Sequence, residues 1–125
     1  MTAWVIVAVA SAGGLGAVCR FLLSTAIGRH TKDALPRATF VINVSGSFLV
    51  GLAAGFAAAN LIPSEWRVVV GTGFLGGYTT FSTFSTDAVR LLRSRRARAA
   101  IVYSFSTLVA ALAAAGLGLA VASIF

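Results

Sequence analysis

The chain has 125 residues, 58% hydrophobic and 10% charged, with a mean hydropathy of +0.94 and a formal net charge of +7. A soluble domain of this length carries about a quarter charged residues. The composition therefore excludes an ordinary soluble fold and describes an integral membrane protein, whose positive balance is first a matter of topology.

Four apolar segments follow one another at about 4–27, 38–61, 68–92 and 99–125. Each reaches the roughly 20 residues that cross the hydrocarbon at about 1.5 Å per residue. The expected fold is an all-α membrane protein, a single unit of four transmembrane helices with no soluble domain. The connections read GRHTKDALPR, IPSEWR and SRRAR, and Pro36 and Pro63 fall at span edges, where a missing N–H is cheap. The opening MTAW lacks a basic residue, so the first apolar run is expected to be a retained span rather than a cleaved signal peptide.

Span one carries Gly13, Gly14, Gly16 and Ala17, small residues that let helix backbones approach closely in lipid. Cys19, the single cysteine, is expected to be a small buried hydrophobe. Arg20 is a charge inside a span, a position that costs about 2.5–3.5 kcal/mol on insertion scales. Two readings stand for it: snorkelling to the nearby interface, or an electropositive anchor at a pore mouth or internal bonding partner.

In span two, Thr39, Asn43 and Ser47 recur every four residues and share one helix face. Asn43 brings two donors and an acceptor into the apolar interior, either as interhelical glue or as a ligand. Gly46 and Gly51 are assigned to packing.

Span three contains GTGFLGGYTTFSTFS from Gly71 to Ser85. Glycine weakens a helix by about 1 kcal/mol relative to alanine. Backbone freed at membrane depth is tolerated only where protein or a cavity surrounds it. The stretch therefore predicts a helix broken inside the membrane, with a polar face beside the break. Phe81 and Phe84 are three apart and share a side; Ser82 and Ser85 form a neighbouring row, as do Thr80 and Thr83. Asp87 lies near the span end as an interfacial cap, able to meet water or Arg90. In span four, Tyr103 and Thr107 share a face at i, i+4, and Tyr103 also suits an interfacial belt. Gly116 and Gly118 read as packing residues.

The first loop carries Arg29, Lys32 and Arg37 and the third Arg90, Arg93, Arg95, Arg96 and Arg98, eight basic residues against Arg67 alone in the second. This asymmetry predicts cytoplasmic basic loops and outward termini. It also accounts for RSRRAR without nucleic acid. No catalytic set is visible: His30 is alone in a loop, and Asp33, Glu65 and Asp87 are scattered at span edges. No acid lies deep in a span, where a proton-coupled transporter needs a titratable group. Amide, hydroxyl and backbone groups remain, with one arginine. They suit a passive path for a small, hard anion, assisted by aromatic edges of partial positive charge.

Three motifs carry a resemblance over essentially the whole chain: GFLGGYTTFSTFS from Gly73 to Ser85, NVSGSFLVG from Asn43 to Gly51, and GGLGAVCR ending at Arg20. The chain resembles the Fluc (CrcB) fluoride channels. The resemblance implies four-span subunits paired in antiparallel fashion, with two fluoride paths along their interface, and passive export of fluoride from the cytoplasm that protects the cell from its toxicity. It implies that the break in span three offers the carbonyls of Gly76 and Thr79 to a central structural sodium ion. Phe81 and Phe84 then correspond to the pathway's aromatic pair, Asn43 to its amide, Tyr103 and Thr107 to its fourth-span hydroxyls and Arg20 to its first-span arginine, with Thr39 and Ser82 beside the same path. Members often carry glutamate at the position of Asp87 and serine at that of Thr107. The uneven loop charge also departs from a subunit that inserts both ways, so the partner is either the chain itself or an oppositely oriented homologue. Two other readings fit the size. A small multidrug-type exporter would need a glutamate in span one, where Arg20 is the only charge; a non-conducting membrane scaffold needs no path at all.

Overall fold

The computed structural model describes residues 2–30 and 35–125. Among these residues the secondary structure is helical throughout, without strands. Helix α1 spans Ala3–His30 and α2 spans Arg37–Ala58. The third segment begins with the short α3, Ser64–Arg67, continues as a π-helix over Val68–Leu75 and closes with α4, Gly76–Tyr78. After Thr79 and Thr80 come α5, Phe81–Arg93, and α6, Ala97–Ala122. Three helices are long and apolar enough to cross a membrane: Ala3–Arg29, Arg37–Ala58 and Ala97–Ala122. Lys32 and Asp33, singled out in the first loop, lie outside the described residues, as does the side chain of His30.

Two contacts organise the bundle. Helix α2 lies along α6, and α1 lies along the π segment and α4. Both rest on glycine. A Cβ on Gly51 would strike the Ala115 carbonyl, and one on Gly118 the Phe48 carbonyl. In the second pair, a Cβ on Gly77 would strike the Gly13 carbonyl, and one on Gly16 the Phe74 carbonyl. Removing the side chain brings the backbones together, as small residues do between helices in lipid.

Those outer faces are apolar and exposed. Phe21 of α1 is 68% exposed and Leu112 of α6 is 66% exposed, as expected of surfaces facing lipid rather than water. Cys19 is also exposed. The expectation of a buried cysteine fails because α1 touches its neighbours along its glycine stripe, and Cys19 falls off that stripe.

The ends of the bundle differ in charge. Arg37, Arg90, Arg96 and Arg98 gather where α1 and α5 end and α2 and α6 begin. The opposite end holds the α2–α3 connection. There the Arg67 guanidinium donates to the Ile62 carbonyl at 2.9 Å and to Asn60 Oδ1 at 3.2 Å.

Candidate functional site

The interruption of the third segment lies at Thr79 and Thr80, not at its glycines. Thr79 has φ −81° and ψ 159°, and Thr80 has φ −147° and ψ 122°, both extended. No described glycine has a positive φ, and Gly71, Gly73, Gly76 and Gly77 all remain helical. The glycines serve the close approach to α1. The break itself is made by two threonines whose hydrogen bonds are satisfied elsewhere.

Asn43 supplies two of these bonds. Its Oδ1 accepts from the Thr80 N–H at 2.9 Å, and its Nδ2 donates to the Thr80 carbonyl at 2.8 Å. The side-chain amide pairs with the peptide as a strand neighbour would. Gly46, one turn further along α2, provides room for the Thr79 methyl and the Tyr78 ring. The Thr80 hydroxyl accepts from the Thr83 N–H at 3.1 Å and caps α5. It also donates to Thr83 Oγ1 and lies 3.2 Å from Ser82 Oγ.

The break has a consequence on its other side. In an uninterrupted helix the Thr80 N–H would close on the Gly76 carbonyl; here it is diverted to Asn43. A Cβ on Gly76 would meet nothing nearer than the Gly71 carbonyl at 3.9 Å, so its backbone is approachable. The Thr79 carbonyl receives one long contact, 3.5 Å from Arg20 Nη1. Arg20 therefore reaches inward towards the break. Carbonyl oxygens are the kind of donor a hard cation takes, which is compatible with the sodium that the family resemblance implies.

On the α2–α6 side of the break an open groove of about 410 Å³ is lined by Asn43, Ser47, Thr80, Phe81, Phe84 and Thr107, among others. Phe81 is 79% exposed. The Phe81 and Phe84 ring centroids are 6.0 Å apart, and Phe84 lies 5.2 Å from Tyr103. Tyr103 follows Phe84 in this ring row but lines a second groove rather than this one; its hydroxyl is buried beside Thr39.

Most hydroxyl protons in the groove are already committed. Thr107 donates to the Tyr103 carbonyl at 2.7 Å and Ser47 to the Asn43 carbonyl at 2.7 Å. Both are rotors that can turn to another acceptor. The uncommitted donors among the lining residues are consequently fewer than residue types alone suggested, and Asn43 keeps one N–H beyond its bond to Thr80.

Thr39 and Asp87 form a buried pair beside the Tyr103 hydroxyl. Thr39 donates to Asp87 Oδ2 at 2.8 Å, and Arg90 Nη2 reaches Asp87 Oδ1 at 2.8 Å. Asp87 is 7% exposed. The expectation of an interfacial cap is thus corrected: the Arg90 contact forms, but the carboxylate is buried against α2. The pairing with Thr39 joins residues 48 apart in sequence, and spacing alone gave no sign of it. The Ser45–Tyr78 contact at 2.9 Å was missed for the same reason.

The model of the family described as CrcB-like protein, Camphor Resistance (CrcB), matches residues 7–119. The chain belongs to the CrcB family. Curated CrcB relatives carry a functional name. Fluoride-specific ion channel FluC 1 of Leifsonia xyli subsp. xyli is 50% identical over 119 residues, covering 95% of this chain and 87% of the relative. Fluoride-specific ion channel FluC 3 of Bifidobacterium longum is 40% identical over 118 residues, covering 94% and 98%. Fluoride-specific ion channel FluC of Caulobacter vibrioides is 39% identical over 116 residues, covering 91% of each. Family and apolar helices together make the chain a membrane protein of an ion channel family rather than an enzyme family.

Proposed function

We propose that this chain is one subunit of a fluoride-selective passive channel in the cell membrane, exporting fluoride from the cytoplasm and so limiting its toxicity. The observation that carries the reading is the groove beside the break: amide, hydroxyls and two phenyl rings on one wall, open on the other. A half-built corridor of this kind calls for a second wall. An antiparallel second copy, or an oppositely oriented homologue, would close it and create two equivalent paths.

In this reading the third segment is a fourth span in two halves. Residues 64–78 and α5 are each too short, at about 20 Å, to cross roughly 30 Å of hydrocarbon, but joined through Thr79–Thr80 they suffice. Fluoride passes Asn43, Phe81, Phe84, Tyr103 and Thr107, with Thr39, Ser82 and Arg20 at its approaches. The Asn43 N–H, the swinging hydroxyls and the ring edges replace its water. The carbonyls of Gly76 and Thr79 from both subunits would hold a structural sodium at the centre, where bound positive charge favours anions nearby. Wet surroundings are poor at this selection, because a narrow lining discriminates only when it substitutes for hydration.

The test is fluoride efflux from liposomes containing the purified protein, with chloride as control. Fast fluoride flux without a pH gradient is expected, and chloride flux far below it. A requirement for a pH gradient would indicate an exporter, and no flux a scaffold; either refutes the proposal. Phe81→Ile is expected to abolish flux while leaving the dimer intact, and near-normal flux in that variant would overturn the role given to Phe81.

A further inference from the structure

We propose that the groove between the N-terminal ends of α2 and α6 binds a phospholipid with an anionic headgroup. The groove holds about 880 Å³ and shares no lining residue with the one beside the break, although Tyr103, at the end of the ring row, lies in its wall. Arg37, Arg96 and Arg98 stand at it, and its wall includes Phe40, Val41 and Val102. Arg96 and Arg98 are exposed, and neither side chain has a hydrogen bond or ion pair among the described residues. The described acid nearest in sequence, Asp87, is engaged by Thr39 and Arg90.

The shape follows the charge. From Arg98 the groove follows α6 as far as Ser106, about 12 Å along a helix axis. A basic rim therefore stands over an apolar trough about as deep as the upper part of an acyl chain. Guanidinium groups bind phosphate oxygens in parallel pairs of hydrogen bonds, and basic pockets between membrane helices take anionic headgroups. Free phosphate would occupy the rim and leave the trough empty, whereas a neutral lipid would fill the trough and leave Arg96 and Arg98 without an anion. An anionic lipid satisfies both.

Native mass spectrometry of the full chain in mild detergent tests this without reference to fluoride flux. Phosphatidylglycerol is expected to be retained about tenfold better than phosphatidylcholine. The double variant Arg96→Gln/Arg98→Gln is expected to lose about tenfold in phosphatidylglycerol retention. Arg29→Gln/Arg93→Gln removes the same charge away from the groove and is expected to retain wild-type binding. Val102→Trp fills the trough and leaves the rim intact; its expected loss of lipid provides the test should the arginine variant fail to fold. Equal loss in both double variants would overturn the proposal, as would wild-type lipid retention in Val102→Trp or displacement of the lipid by equimolar inorganic phosphate. Efficient cross-linking of Val102→Cys to a second copy would do the same, by assigning the groove to a subunit contact.

Discussion

With Asn43 truncated to alanine, the N–H and C=O of Thr80 would both lose their partners. An orphaned buried polar group costs about 1–3 kcal/mol, and extended backbone inside a helical bundle has few substitutes. Asn43→Ala is expected to lower unfolding stability by about 2–6 kcal/mol in detergent, on the same principle applied to two groups. Thermal unfolding of the purified protein measures it. A loss confined to flux, with stability unchanged, would show that Asn43 serves the pathway and not the break. The residue type was legible in the sequence, since an amide on an apolar face needs a partner. The identity of that partner, a peptide 37 residues away, was not: hydrogen bonds of this range depend on how helices are laid side by side.

At the scale of elements, glycines of similar sequence context separate into two kinds. A Cβ on Gly77 would collide with the Gly13 carbonyl, while one on Gly14 would meet nothing within 4 Å. Gly77→Ala must push α1 and α4 apart, an overpacking cost of about 1–3 kcal/mol. Gly14→Ala has no clash to absorb and should gain up to about 1 kcal/mol of helix propensity. Thermal unfolding of the two variants should move in opposite directions; parallel shifts would contradict the packing of the third segment on α1. The sequence pattern announced a disturbed third helix through its glycines and hydroxyls. The position of the interruption followed a different rule. Glycine in a tight interface stays helical because the neighbouring backbone compensates for its poor propensity, whereas Thr79 and Thr80 leave the helix because Asn43 and the Thr80 hydroxyl supply alternative bonds.

For the whole molecule, the two ends carry unequal charge, with Arg37, Arg90, Arg96 and Arg98 gathered at one and Arg67 at the other. Loop arginines and lysines set orientation when their distribution is this uneven. A tag on the C-terminus is expected to be accessible from the outer side alone, and the chain would then find its antiparallel partner in an oppositely oriented homologue. Equal labelling from both sides would indicate dual insertion and pairing with itself. In either case Phe81 is exposed and the groove beside the break is open on a single chain.

The sequence by itself determined the membrane class, the apolar helices, the family and the residue types at the site, because each of these is carried by local composition, periodicity or motif. The tertiary structure decided which groups satisfy one another: Asn43 with Thr80, and Thr39 with Asp87. It also decided that Cys19 faces outward and Asp87 inward. The physical reason is that a helix presents every side chain at a fixed angle, but only the approach of a second helix selects which of those angles is buried.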